Sequence, residues 1–409
     1  MNLTIKILLA MLLGCVAGLL IRMNAGHAII QVLLDDILKT GGNIFITILK
    51  MLVVPVVFVS LVCGSSSLDI KKLGRIGGKT LVLYLITTAI AITLAILFAS
   101  IFSIGSDLQA ASTTPLAIKE VPSIKDIISN LFPSNFFKAL VEGEMLQIIV
   151  FSILFGMALS AAGEAGKRIG AIFRDLNDVI MHFITMMLQL APYGIFCLVA
   201  VSFAQMGFNL IGQLFGYFSI VLLVLLIHLT VTYSLLLKVV GGLNPLMFFR
   251  KFYPCMLFAF STSSSNASIP VVLETVEHKL GVKNQVASFI VPLGATINMD
   301  GTAIMQGVAT VFIAHVYNVP IGLTGFLMVI MMATLASIGT AGIPSVGLIT
   351  LAMVLKQVNV PVEGIALIIG VDRLLDMART AVNVSGDAVV ACIVAKNEKS
   401  MNTEVYDTV

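Results

Sequence analysis

Tryptophan is absent from this 409-residue chain, cysteine occurs five times, and charged residues make up only 11% of it. Each shortage excludes something. Cys15, Cys63, Cys197, Cys255 and Cys392 lie in or beside apolar segments, without the paired spacing of a zinc site or a disulfide framework, and read as packing residues. Lys and Arg number 24 against 21 Asp and Glu, and their scatter leaves no basic stripe with interleaved aromatics, which excludes nucleic acid as a partner. What is abundant is apolar sequence: 58% of the residues are hydrophobic and the mean hydropathy is +1.06. No soluble core needs that much. Apolar runs of this length cross bilayers as helices, so the chain reads as an all-α integral membrane protein surrounded by lipid.

Residues 7 to 21, after Lys6, have the length of a signal-peptide core, but Met23-Asn24-Ala25-Gly26-His27 is a poor cleavage site, and the run is kept as an uncleaved first span. Further spans are expected at 41–67, 79–103, 141–162, 176–204 and 213–240. Lys71, Lys72, Arg75 and Lys79 crowd one short connection, whereas residues 104–135 mix Lys119 and Lys125 with Asp107, Glu120 and Asp126. The positive-inside bias makes the first connection cytoplasmic. Counting from it places the N-terminus, Lys167, Arg168, Arg174, Arg250, Lys251 and the tail with Lys396 and Lys399 on the same side. The tail after Asn397 is short and polar and is expected to be mobile.

From Phe289 to Val316 one long apolar run is interrupted by Asn298-Met299-Asp300-Gly301-Thr302. A carboxylate at that depth costs on the order of 3 kcal/mol or more unless it meets an ion, a partner or water, so Asp300 reads as functional. Asn298, Thr302 and Gln306 recur at i, i+4 and i+8, while Asp300 would project from the other side of an unbroken helix. The helix is therefore expected to break here, with Gly301 easing an unwound turn. Freed carbonyls beside a carboxylate make a hard-oxygen cage for a small cation.

Two further apolar segments end alike, in Ser268-Ile269-Pro270 and Gly342-Ile343-Pro344, behind tips of small residues at 261–267 and 337–342. Such tips let a chain reverse inside a membrane where the backbone lines a polar cavity, and both segments read as re-entrant hairpins. Each is followed by a helix with a buried-type acid, Asp300 after the first and Asp376 after the second. The orientation count makes the two copies opposite in direction. Inverted repeats with broken helices place substrate and ion sites near the midplane between them.

The last helix carries Asp372, Asp376, Arg379, Thr380, Asn383 and Asp387 on one face, with Leu374, Leu375, Ala378, Ala381 and Val382 covering the rest. The planar fork of Arg379 suits a carboxylate, Asp376 one turn away suits an ammonium, and Thr380 and Asn383 can fix orientation. Together they describe a zwitterion with an extra acid group. Asp387, two turns beyond Thr380, is free to help hold a cation. No Ser-His-Asp grouping is apparent, since His278 and His315 belong at segment ends, and Arg379 beside Asp376 disfavours a proton-sharing protease dyad. A passive channel is the remaining rival to a transporter.

With these residues in view, the chain resembles the dicarboxylate/amino acid:cation symporters, the group of glutamate transporter homologues. The resemblance covers almost the whole chain. It is carried by Lys50-Met51-Leu52-Val53-Val54-Pro55, the serine-rich tip ending at Pro270, Gly294 through Thr302, Ala336 through Gly342, and Asp376-Met377-Ala378-Arg379-Thr380 through Asp387. It implies about eight transmembrane helices plus two re-entrant helical hairpins, arranged as inverted repeats in an elevator-type homotrimer of the cell (inner) membrane. The implied scaffold is residues 1–68 and 133–207, and the implied moving part is 79–103 and 213–396. The latter would hold span six, hairpin one (about 250–283), span seven (about 285–317), hairpin two (about 322–359) and span eight (about 361–396), with 397–409 a cytoplasmic tail.

The same resemblance implies that Arg379 and Thr302 hold the substrate's side-chain carboxylate, Asp376 its amino group, and Ser265 and Asn383 its main-chain carboxylate. Ser264 and Thr380 belong with this set, and Ile343 and Gly347 would contact substrate through the backbone of an outer hairpin that acts as gate. One sodium site would comprise Asn298, Asp300, Thr87, Thr88 and the Tyr84 carbonyl. A second would comprise Asp387 with the Gly294, Asn298 and Asn383 carbonyls, and a third Thr296 with Met299 and hairpin carbonyls. The implied activity is uptake of L-aspartate or L-glutamate with Na+ as the coupling ion. The alternative is a proton-coupled glutamate/aspartate or C4-dicarboxylate symporter. Relatives devoted to C4-dicarboxylates lack an acid at the position of Asp376. Animal relatives have a glutamate, linked to proton cotransport and potassium countertransport, where this chain has the non-titrating Gln306. Two departures stand out: relatives with an extra arginine carry it where this chain has Ser263 or Met377, and Arg373 is the nearest substitute.

Overall fold

The computed structural model describes residues 3–24, 31–66, 70–106, 132–206, 209–337 and 346–408. Its helices are α1 (Leu3–Met23), α2 (Lys39–Ser66), α3 (Ile70–Ile101), α4 (Phe136–Glu142), α5 (Met145–Ala161), α6 (Gly163–Leu188), α7 (Ala191–Met206) and α8 (Asn209–Ile227). There follow α9 (Pro245–Thr262), α10 (Ser265–Glu274), α11 (Asn284–Ile297), α12 (Asp300–Val316), α13 (Leu323–Ser337), α14 (Val346–Gln357), α15 (Ile365–Asn397) and α16 (Thr403–Asp407). Among the described residues five helical stretches are long and apolar enough to cross a bilayer: Ile5–Met23, Leu33–Cys63, Arg75–Ile101, Gly212–Val240 and Val362–Asn397. The protein is all-helical in the way lipid demands, with backbone groups satisfied inside each segment.

One expected span is broken. The run at 176–204 was expected to be continuous, but α6 starts earlier and meets α7 at a bend of 51° after Leu188. Pro192, in the first turn of α7, has no N–H to give to Leu188 and its ring would strike that carbonyl, so the ladder cannot run through. The start of α6, with Glu164, Lys167, Arg168, Arg174, Asp175 and Asp178, is also too charged to lie in hydrocarbon.

The core is centred on α12, where every residue from Asp300 to Ala314 is buried, as is Val316. It packs against α3, α8, α13, α14 and α15, so this apolar segment is enclosed by protein. The first hairpin is a helix–turn–helix. Ser263, in left-handed conformation (φ 50°), ends α9, and the Ser264 side chain caps α10 by accepting from Ala267 N. Its arms are antiparallel in register, since the Cys255 thiol reaches Thr275 Oγ1 at 3.1 Å and Lys251 Nζ reaches the Lys279 carbonyl at 3.1 Å. In the second hairpin α13 and α14 pack together, and the tip, including Ile343, lies outside the described residues.

The tail differs from expectation. Rather than standing free, residues 398–408 fold back on the first hairpin, because a handful of their groups find hydrogen-bond partners there. Tyr406 is fully buried and donates to the Asn244 carbonyl at 2.9 Å, while Lys251 Nζ donates to the Val405 and Tyr406 carbonyls at 2.6 and 2.9 Å. Asn402 caps α16 and gives its N–H to Gly281 O at 2.7 Å. Gly281 is required there: its φ is +73° and a Cβ would stand 2.3 Å from Asn402 O. At the head of the tail, Glu398 is paired with Lys79 and Arg75, and the Lys79 hydrogen bond holds its carboxyl below the usual range. Removing a ring of this size from a closed site costs about 3 kcal/mol. Tyr406→Ala should therefore lower the thermal midpoint in detergent and speed amide exchange across 281–283 and 400–406. Solvent-rate exchange over 400–406 in the parent protein would contradict this packing.

Candidate functional site

The break falls where the sequence places it. α11 ends at Ile297, Asn298 (φ −94°, ψ 100°) and Met299 (φ −123°, ψ 46°) are non-helical, and α12 begins at Asp300. Asp300 thus sits at a helix N-terminus, where partial positive charge favours a carboxylate. Its side chain is fully buried in a shell of donors. Oδ1 accepts from Thr88 Oγ1 at 2.6 Å and lies 3.3 Å from Thr87 Oγ1, whose single proton is shared with Tyr84 O at 3.0 Å. Oδ2 accepts from the Tyr233 hydroxyl at 2.9 Å and lies 3.1 Å from His228 Nε2.

Gly301 has another role than the expected one. It is helical, and a Cβ there would lie 2.5 Å from the Arg379 carbonyl, so its lack of a side chain lets α12 touch the backbone of α15. That approach allows Gly301 N to donate to Asn383 Oδ1 at 2.7 Å. Gly294 does the same one turn before the break: a Cβ would stand 2.4 Å from Asp387 Oδ1 and 2.5 Å from Tyr84 Oη. Asn298 Nδ2 donates to Asp387 Oδ1 at 2.9 Å and to the Asn383 carbonyl at 3.2 Å, while its buried Oδ1 has no partner. Asn383 Nδ2 reaches Met299 Sδ at 3.4 Å.

Tyr84, Thr87, Thr88, Gly294, Asn298, Met299, Asp300, Asn383 and Asp387 are thereby gathered at one place. Thr296 is not joined to them by its hydroxyl, which donates to Leu293 O of its own helix at 2.9 Å. Among the described residues no Lys or Arg forms an ion pair with Asp300 or Asp387, and no group of three or more His, Cys, Asp and Glu is assembled. What is offered is carboxylate, hydroxyl, amide and carbonyl oxygen, a donor set for a hard cation rather than a transition metal.

One turn along α15 from Asn383, Arg379 is fully buried. Its Nη2 forms ion pairs with Asp376 Oδ1 at 2.8 Å and Asp372 Oδ1 at 2.9 Å, while among the described residues Nε and Nη1 have no hydrogen-bond partner. Arg373 Nη1 lies 3.4 Å from Asp376 Oδ2, so the carboxylate of Asp376 is held from both sides. Gly347 of the second hairpin faces this group: a Cβ there would meet Met305, Thr302 and Arg379 Nη1 at 3.0, 3.1 and 3.3 Å. The Thr380 hydroxyl is turned to its own helix, donating to Asp376 O at 2.8 Å. Ser265 is buried at the start of α10, which packs on α15, and Ser264 serves as that helix's cap. Gln306 donates to Thr350 Oγ1 at 2.6 Å across α12 and α14.

The sequence profile of the Sodium:dicarboxylate symporter family matches residues 3–397. The chain belongs to this family. Among its relatives in the sodium:dicarboxylate symporter family is a "Proton/glutamate-aspartate symporter" of Escherichia coli, 34% identical, the match covering 96% of this chain and 92% of the relative. A "Proton/sodium-glutamate symport protein" of Geobacillus stearothermophilus is 32% identical over 98% of this chain and 95% of its own length. A "Neutral amino acid transporter B(0)" of Bos taurus is 36% identical over 85% of this chain and 71% of its own length. The protein is accordingly a membrane-embedded symporter-family transporter and not an enzyme.

Three residues of the site escaped sequence reasoning. Asp372 was placed on the polar face without a role as the second partner of Arg379, and His228 and Tyr233 were not singled out. His228 carried a usable signal, being the only His, Lys, Arg, Asp or Glu between Gly212 and Leu237. Gly301→Ala should separate α12 from α15, at a cost of about 1–3 kcal/mol. Uptake should fall sharply while the variant still inserts and purifies as the parent does. A fully active Gly301→Ala protein would show that this backbone contact is dispensable.

Proposed function

We propose that this chain is a secondary active symporter that takes up L-aspartate or L-glutamate together with sodium. The observation that carries the reading is the buried Arg379, whose Nε and Nη1 have no hydrogen-bond partner among the described residues, with Asp376 beside it. An acidic amino acid matches both groups: its carboxylate suits the guanidinium and its ammonium suits the Asp376 carboxylate. A plain dicarboxylate would leave Asp376 facing no cation of the substrate. Thr302, Asn383, Thr380, Ser264, Ser265 and the backbone near Gly347 and Ile343 complete the proposed substrate set.

Sodium is the proposed cargo at two positions, Asp300 with Thr87, Thr88, Asn298 and Tyr84 O, and Asp387 with the Gly294, Asn298 and Asn383 carbonyls. A third involves Thr296 and Met299. Support comes from the buried carboxylates of Asp300 and Asp387, which pair with no Lys or Arg among the described residues, and from the "Proton/sodium-glutamate" name of a relative. Proton coupling is the second reading, favoured by the "Proton/glutamate-aspartate" name of another. Gln306, tied to Thr350, cannot titrate, which argues against potassium countertransport. The architecture that goes with this function is about eight spans and two re-entrant hairpins in a homotrimer of the inner membrane, with both termini cytoplasmic. Residues 79–103 and 213–396 would move as an elevator against 1–68 and 133–207.

Purified protein in liposomes, with sodium, proton and potassium gradients imposed separately, tests the coupling. Accumulation should follow the sodium gradient and ignore internal potassium. Accumulation driven by a pH gradient alone, with substrate affinity equal in sodium and choline, would establish the proton reading instead. Arg379→Ala should weaken acidic substrates by about 3–5 kcal/mol, because it leaves the substrate's buried carboxylate without a guanidinium. Unchanged glutamate and aspartate affinity in that variant removes the assigned role. Asp300→Asn and Asp387→Asn should each raise the sodium concentration that substrate binding requires, since each ligand favours the state the other occupies.

A further inference from the structure

His228 and Tyr233 lie outside both ligand sets yet hold the far oxygen of Asp300. Both are wholly buried, and both reach Oδ2, His228 through Nε2 at 3.1 Å and Tyr233 through its hydroxyl at 2.9 Å. Their rings meet edge to face with centroids 4.7 Å apart. The Val382 carbonyl, at 3.3 Å, is the weaker competing acceptor for the tyrosine proton.

Ordinary helix geometry does not bring these two side chains together. Residues five apart on an α-helix differ by about 140° around its axis. Here the helix that begins as α8 continues as a π turn, His228–Thr232, closed by Tyr233 N donating to His228 O. Bonding from i to i+5 sets residues five apart one above the other. The turn thus delivers two donors to one carboxylate oxygen, where a regular helix would deliver one. The described residues hold four π turns, Leu33–Leu38, His228–Thr232, Leu236–Val240 and Thr275–Lys279, and His228–Thr232 is the one that meets Asp300. A proton on Nε2 suits the carboxylate oxygen it meets, and among the described residues the buried Nδ1 has no hydrogen-bond partner.

We propose that His228 and Tyr233 are positioning residues for the coupling cation. By occupying Oδ2 they fix the plane of the Asp300 carboxylate, so that Oδ1 faces Thr87, Thr88 and the Tyr84 carbonyl with its remaining lone pair directed to the ion. The proposal rests on the reading of Asp300 as a sodium ligand. Partners that orient a ligand in this way change ion affinity about 10- to 100-fold when removed.

The test is a sodium titration of the thermal midpoint of the purified full chain without substrate, choline holding the ionic strength, followed by substrate affinity at saturating sodium. His228→Leu and Tyr233→Phe should each raise half-saturating sodium by about 10- to 100-fold. His228→Gln, which keeps an N–H donor, should stay close to the parent. Substrate affinity at saturating sodium should be unchanged in all three. Tyr233→Phe removes one oxygen and preserves the packing, so it decides the matter even if His228→Leu does not fold. Asp300→Asn sets the scale. If it shifts the sodium response while His228→Leu and Tyr233→Phe do not, the positioning role is overturned and the cation site stands. Equal losses in the Gln and Leu variants would overturn it in favour of packing. A sodium response untouched by Asp300→Asn would overturn the sodium site and this proposal together.

Discussion

Two carboxylates, Asp300 and Asp387, buried with no Lys or Arg paired to them among the described residues, are the constraint around which this molecule is built. Moving such a charge out of water costs several kcal/mol even after relaxation, and it persists only where hydrogen bonds or an ion offset the loss. Asp300 and Asp387 receive donors from α3, α11 and the helix that follows α8, and both lie where the backbone of α11–α12 comes against α15. The unwound pair Asn298-Met299 interrupts the backbone ladder at this depth. Such an interruption is tolerated in lipid only when enclosed by protein, and burial of nearly all of α12 provides the enclosure.

Asn383 connects the two chemistries of the site. Its Oδ1 takes the N–H of Gly301, its Nδ2 reaches Met299, and its carbonyl takes Asn298, which in turn holds Asp387. Arg379 lies one turn away on the same helix and carries the opposite charge. Under the proposed function, a cation drawn to the carboxylates and an anion drawn to the guanidinium would act on one short stretch of α15 and on the same broken segment. That contiguity gives linkage between two ligands a material path, because either one biases the arrangement the other meets.

Much of this was legible in the sequence because polar residues at membrane depth are expensive and stand out. Asp300 inside an apolar run announced a break, and the recurrence from Asp372 to Asp387 announced one polar face that is buried in the structure. The residues that were not legible depended on distance between segments or on helix irregularity. Nothing in the spacing of His228 and Tyr233 signals a π turn, and α-helical periodicity assigns them to different faces. Gly301 was read as a flexible point, whereas its importance is the backbone it lets approach. The tail looked mobile because its composition is polar, but its carbonyls found Lys251 and its one large ring found a closed site. The bend between α6 and α7 was signalled by Pro192 and was outweighed by hydropathy.

The wide separation of these partners along the chain has a consequence for biosynthesis. Thr88 bonds to Asp300, and Asn298 to Asp387, and at its extremes, Tyr84 and Asp387, the site draws on residues 303 positions apart. At roughly 5–20 residues per second, a translating ribosome takes roughly 15–60 seconds to travel that distance. During the first part of that interval α3 is already threaded into the bilayer with its hydroxyls facing nothing they will later hold. Asp300 then enters before Asn383 and Asp387 exist. The insertion machinery must therefore accept a broken, acid-bearing segment on credit of a helix still to come, and a chain halted before α15 displays that defect to whatever surveys unassembled spans.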